Sequence, residues 1–91
     1  MIVALVMIRC ARDHIPDAAQ AIVEIEGVSE VFSVTGEWDL VAVVRVPRWE
    51  QISDVVTERI ARVEGLERTE THMAFRVLSK GDMQAAYEGF E

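Results

Sequence analysis

Apolar residues run unbroken from Ile2 to Ile8, and most of them are branched. A run of this kind suits a strand buried on both faces. The stretch Arg9 to Asp13 breaks it, and Pro16 then stands where a first helical turn tolerates proline, with Asp13 or His14 near the cap. Ile15, Ala18, Ala19, Ile22 and Ile25 follow at helical spacing, and Gly27 occupies the place of a helix-ending glycine. Val28 to Thr35 reads as a second strand. After a short turn at Thr35-Gly36-Glu37, Trp38 to Val46 reads as a third, again apolar on both faces. Pro47 ends it. A second helix carries Ile52, Val55, Val56, Ile60 and Val63, and Gly65 closes it. Leu66 to Leu78 reads as a long fourth strand with Thr69, Thr71 and Met73 on one face and Glu70 and His72 on the other. Lys80-Gly81-Asp82 breaks the chain before a tail with Met83, Ala86, Tyr87 and Phe90 at helical spacing.

The halves repeat. Ile22-Val23-Glu24-Ile25-Glu26-Gly27-Val28 matches Ile60-Ala61-Arg62-Val63-Glu64-Gly65-Leu66. The order β-α-β-β-α-β predicts an α+β fold of the ferredoxin-like kind. Strands apolar on both faces belong in the middle of a sheet, and strands with charges belong at its edges. The antiparallel order 4-1-3-2 satisfies both conditions. Both helices then cover one face, and Val41 and Val43 fall on the other. A bare apolar sheet face is rare in a monomer, so face-to-face pairing with a second copy, as in a dimeric α+β barrel, is expected.

Length and composition sharpen this picture. The chain has 91 residues, enough for one domain, taken as residues 1–80 with a tail at 81–91. Hydrophobic residues make up 51%, a high share for a small body with a modest core, which again points to an oligomer. Nine basic residues against sixteen acidic ones give a formal charge of −7, and no basic run occurs. Direct nucleic-acid binding and docking on an anionic membrane are therefore not expected. The opening apolar run lacks a basic leader and a cleavage site, and is too short to span a bilayer. With a single cysteine, Cys10, a reducing, cytoplasmic setting is expected.

Few residues suggest catalysis. Cys10 reads as a small buried hydrophobe, with His14 too displaced in sequence to read as its base. His72 reads as a packed or hydrogen-bonded residue. His14, His72 and Cys10 show no metal-ligand spacing, and no cofactor is expected. The most informative segment is Thr35-Gly36-Glu37-Trp38-Asp39. It can be a plain hairpin turn, with Gly36 at positive φ and Asp39 tied to backbone N–H groups. It can also expose amides that receive a small anionic or zwitterionic ligand. Thr69 and Thr71 place two hydroxyls on one face, as ligand contacts or as ordinary strand threonines.

Gly27-Val28, the run Val34-Thr35-Gly36-Glu37-Trp38-Asp39-Leu40, and Val63-Glu64-Gly65-Leu66 with Thr69-Glu70-Thr71 together resemble the effector-binding domain of the Lrp/AsnC transcription regulators. The resemblance spans about Val3 to Leu78. It implies dimers through sheet faces, octamer-like assemblies of dimers, and effectors, often amino acids, in clefts between dimers. By motif match it implies ligand-binding roles for Thr35, Gly36, Glu37, Trp38, Asp39, Thr69 and Thr71. Regulators of this family carry an N-terminal helix-turn-helix domain. Here the first strand begins at residue 2, so a stand-alone effector domain is expected, sensing a metabolite itself or co-assembling with a full-length relative. Two other readings stay open. One is a small dimeric enzyme, which would bring two of His72, Trp38 and Tyr87 into one pocket. The other is an interaction module that binds no metabolite.

Overall fold

The computed structural model describes residues 1–78 and 80. Four strands form one antiparallel sheet: β1 (Ile2–Cys10), β2 (Val28–Ser33), β3 (Leu40–Val46) and β4 (Leu66–Met73). Their order is β2-β3-β1-β4, which is the expected order read from the other edge. The architecture is the ferredoxin-like βαββαβ arrangement. The central pair runs from Ile2 opposite Val46 to Ile8 opposite Leu40.

Alternation along the central strands builds the core. Ala4, Val6, Ile8 and Cys10 of β1 and Leu40, Ala42, Val44 and Val46 of β3 are all buried on one face. Helix α1 (Ile15–Val23), with Pro16 in its first turn, covers this face with Ala18 and Ile22. A second helical stretch begins as α2 (Glu50–Ser53), widens to a π-helical turn (Asp54–Arg59) and tightens to a 3-10 turn (Ile60–Arg62). The wide turn has a packing consequence. The Ile60 N–H reaches back to the Val55 carbonyl, and Val55 and Ile60, five residues apart, are both buried with Ile52.

The repeat seen in the sequence becomes a reciprocal contact. Gly27 and Gly65 both have positive φ, +102° and +94°. A Cβ on Gly27 would stand 2.7 Å from Val55 Cγ2, in the other half of the chain. A Cβ on Gly65 would stand 2.6 Å from His14 Cβ and Cγ, just before α1. Each half therefore ends its helical segment with a glycine pressed against the helical segment of the other half.

Three strand boundaries fall short of the sequence expectation. β2 ends at Ser33 rather than Thr35, and β3 begins at Leu40 rather than Trp38, because residues 34–39 turn out of the sheet into a loop. β4 ends at Met73 rather than Leu78. Its only neighbour among the described residues is β1, and Ala4 lies opposite Met73. Continuing that register exhausts β1 at Met1, opposite Arg76, so among the described residues Val77 and Leu78 have no strand beside them. Phe75 is already fully exposed. The tail residues Met83, Ala86, Tyr87 and Phe90 lie outside the described residues.

The opposite sheet face has no helix over it among the described residues. It presents Val3, Leu5 and Met7 of β1, Val41 and Val43 of β3, and Phe32 of β2. Val43, 5% exposed, is flanked in register by Leu5 and Glu30, yet it stands apart from the core under the helices. Leu5 and Phe32 are 40% and 48% exposed.

The glycine contact is testable. Gly65→Ala should lower unfolding free energy by about 2 kcal/mol or more, from steric overlap and positive φ together. In a His14→Gly background the overlap is gone, and the same change should cost only about 1 kcal/mol. Equal losses in the two backgrounds, measured by urea unfolding, would show that the two residues do not meet.

Candidate functional site

The loop joining β2 to β3 is held at one end of the sheet by three bonds. The Asp39 N–H donates to the Ile8 carbonyl at 2.8 Å, and the Val34 N–H donates to the Asp39 carbonyl at 3.0 Å. The Asp39 carboxylate accepts the Cys10 N–H at 3.0 Å. That last bond answers the sequence expectation that Asp39 is tied to a backbone N–H.

The Cys10 amide points toward the β3 side of β1 and is free for Asp39 because β3 begins only at Leu40, opposite Ile8. On the other side of β1 the β1–β4 ladder slips at the same point. Arg9 lies opposite Arg68, but Cys10 lies opposite Leu66. Glu67 is the extra residue of a β-bulge, a feature that re-aims a side chain and sharpens local twist.

Loop and bulge together form an open cleft of about 440 Å³. Gly36, Glu37 and Asp39 line it from the loop, and Arg9 and Cys10 from β1. Glu67 lines it from the bulge, and Arg12 and Ile15 from the start of the first helical segment. Gly36 has φ +104°, and a Cβ there would meet nothing within 4 Å, so only its backbone conformation requires glycine.

Charges are interlaced around the loop. Arg9 Nε and Nη2 donate to the Glu37 carbonyl at 3.1 and 2.5 Å. The Glu37 carboxylate lies 4.0 Å from Arg9 and 3.7 Å from Arg68. Arg68 stacks over Trp38 at 5.0 Å and lies 3.6 Å from Glu70, which holds His72 Nε2 at 2.6 Å. These pairs are largely exposed, so they orient side chains more than they stabilise the fold.

Of the residues singled out from sequence, the structure brings Gly36, Glu37 and Asp39 into the cleft. Thr35 is exposed on the same loop and does not line it, and Trp38 lies under Arg68 instead. Thr69 and Thr71 sit opposite Ile8 and Val6, exposed on the outer strand β4, and are not part of the cleft. Arg9, Arg12, Ile15 and Glu67 were not anticipated. Arg9 carried one signal: it is the first charge after the apolar run of β1. Nothing local marks Glu67, because a bulge is a property of two strands.

Cys10 is not set up as a nucleophile. Burial, then the carboxylates of Asp39 and Glu67, push its thiol pKa up, which keeps it protonated near neutrality. His14 is engaged elsewhere, with Nδ1 3.2 Å from Asp13 and Nε2 3.9 Å from Glu64. Neither His72 nor Trp38 lines the cleft, and Tyr87 lies outside the described residues. Among the described residues, no group of three or more His, Cys, Asp or Glu side chains is placed to hold a metal. No helix among them is long and apolar enough to cross a membrane.

A family model described as the Lrp/AsnC ligand binding domain matches residues 3–83. The chain belongs to this family. A crystal structure of the Thermus thermophilus protein TTHA0845 is 48% identical, with a TM-score of 0.82 over 88% of this chain and 100% of that one. A Pyrococcus furiosus protein named as an HTH-type transcriptional regulator, PF0250, is 36% identical over 59 residues, covering 65% of this chain and 39% of that protein. The chain thus spans about two fifths of the length of this curated relative. The Neisseria meningitidis transcriptional regulator NMB0573, crystallised as an L-Met complex, shares the fold at 18% identity and a TM-score of 0.75, over 86% of this chain and 52% of that one. The assignment makes this a regulatory effector-binding domain, and its curated relatives are named as transcriptional regulators, not enzymes.

The Asp39–Cys10 bond is the tie between loop and bulge. Asp39→Ala should strand the Cys10 amide and cost about 1–3 kcal/mol, whereas Asp39→Asn, which keeps an acceptor oxygen, should cost less. Urea unfolding and amide exchange at Cys10 would measure both; faster exchange at Cys10 only in the alanine variant is the expected signature.

Proposed function

We propose that this domain binds a small metabolite, an amino acid in the first instance, in the cleft beside the Gly36 loop at a boundary between subunits, and works as a stand-alone effector-binding module. The observation that carries the reading is the loop itself. Its glycine adopts a conformation that opens backbone toward a cleft containing both signs of charge, with no activated nucleophile beside it. The L-Met complex of the Neisseria relative supports an amino-acid ligand. The match to the Thermus chain, over 88% of this chain and all of that one, supports an effector-binding unit of this size. Thr35, Gly36, Glu37, Trp38 and Asp39 contribute from the loop. Thr69 and Thr71, exposed on an outer strand outside the cleft, act in this reading through a neighbouring subunit.

The partners follow from the uncovered sheet face. Leu5, Phe32 and Val41 form an apolar centre there, beside the charged row of Arg9, Glu37, Arg68 and Glu70. A second copy is the occupant, giving a homodimer, and dimers assemble further into octamer-like rings. A full-length Lrp/AsnC regulator is a second partner for the same surfaces. With a charge of −7, any influence on DNA passes through that partner. The setting is cytoplasmic, consistent with a lone thiol.

Native mass spectrometry with and without a panel of amino acids tests the reading directly. Assemblies larger than a dimer that retain an amino acid are expected; a dimer indifferent to the whole panel would favour a module that binds only protein. Gly36→Val should strain the loop at positive φ and weaken amino-acid binding about tenfold or more, while the domain stays folded with a melting temperature lowered by roughly 5–15 °C, because the added side chain meets open space and only the backbone is strained. Leu5→Glu and Phe32→Glu should each yield monomers in analytical ultracentrifugation, since both side chains are half-exposed in the isolated subunit. Dimers that persist in both variants would rule out this face as the interface.

A further inference from the structure

The cleft holds five charged side chains, and three of them are already committed. Arg9 is bonded to the Glu37 carbonyl, the Glu37 carboxylate lies between Arg9 and Arg68, and Asp39 accepts the Cys10 amide. Arg12 and Glu67 remain. Among the described residues neither takes part in a side-chain hydrogen bond or an ion pair, yet both line the same cleft from different elements. Arg12 opens the 3-10 turn before α1, and Glu67 is the unpaired residue of the β1–β4 bulge. A bulge at a cleft is a recurrent way of turning one side chain toward a ligand. The rest of the cleft wall is apolar or neutral: Ile15 is half-buried, and the Cys10 thiol is held protonated by burial and by Asp39 and Glu67.

We infer that Arg12 and Glu67 are the orienting contacts of the effector: Arg12 takes the α-carboxylate, and Glu67 the α-ammonium, of an amino acid whose uncharged side chain lies against Ile15 and Cys10. This rests on the effector-binding reading and deepens it. A free amino acid carries opposite charges on neighbouring atoms, and two uncommitted opposite charges facing one cleft match that pattern. Guanidinium suits a carboxylate because its N–H groups can bond both oxygens at once. An acidic side chain would meet the carboxylates of Glu37, Asp39 and Glu67 with one free cation in the cleft, so aspartate is disfavoured. The orienting groups come from the turn before α1 and from the bulge, outside the Gly36 loop, so the loop shapes the wall and the two charges read the ligand's ends.

Isothermal titration of the whole chain tests this with L-leucine, L-methionine, L-aspartate and two single-charge relatives of leucine, 4-methylpentanoate and 3-methylbutylamine. Leucine or methionine should bind, and aspartate and both relatives of leucine should bind about tenfold more weakly or worse. Arg12→Gln should weaken leucine and 4-methylpentanoate but leave 3-methylbutylamine unchanged. Glu67→Gln should do the converse. Both residues are exposed, so both variants should retain the parent's melting temperature. Unchanged leucine and methionine affinity in both variants, or a preference for aspartate, would overturn the inference while leaving the effector reading intact. Failure of every amino acid to bind the parent chain would overturn both.

Discussion

The structure depends on one constraint: the central strands β1 and β3 are apolar on both faces, and the described residues supply two helical segments, enough to cover one. Ala4, Val6, Ile8, Leu40, Ala42 and Val44 go under that cover and leave essentially no accessible surface. Burial of this kind is the main favourable term in folding a small domain. The same alternation sends Leu5, Met7, Val41 and Val43 to the other side. Once β1 and β3 pair in this register, the identity of the core and the character of the bare face follow together. Edge strands can then be polar, and β2 and β4 are.

A second layer of organisation comes from close approach. Gly27 and Gly65 let the halves of the repeat touch where a side chain would collide, and the π-helical turn lets Val55 and Ile60 share a buried face. The Val55 that needs this turn is also the residue against Gly27, so the wide turn and the glycine belong to one packing arrangement. At the far end of the sheet the same economy appears in polar form. Asp39 bonds the Cys10 amide that β3 leaves without a strand partner, and the slip on the other side of β1 frees Glu67 to face the cleft. Loop, bulge and cleft are therefore one structural unit.

How far the chain could be read in advance varied by residue. Ile2 to Ile8 and Leu40 to Val46 announced central strands, since continuous branched apolar runs have few other homes. The sheet order followed from where charges fell, and the second helix from Ile52, Val55 and Ile60, although its π-helical turn did not show in the pattern. Gly36 and Asp39 stood out because a glycine and an acid beside an apolar strand each need a backbone reason. Trp38 was read as the first residue of the third strand but lies in the loop as the platform for Arg68, and Thr69 and Thr71 were legible as sharing a face but not as lying outside the cleft. Arg12 and Glu67 carried no signal, as isolated charges usually mark a solvated surface.

By itself, the sequence determined the order of elements, the edge and centre of the sheet, the composition of the core and the Gly36 turn. All of these depend on local spacing, whose periods of two and 3.6 residues can be counted along the chain. Only the tertiary structure decided where the strands stop, because β4 lasts as long as β1 lies beside it. It alone decided that the ladder slips between Arg9 and Cys10, because register is a property of two strands at once. From that slip comes the direction of Glu67, and from the late start of β3 comes the Asp39 bond to Cys10, neither of which is encoded within any single stretch of residues.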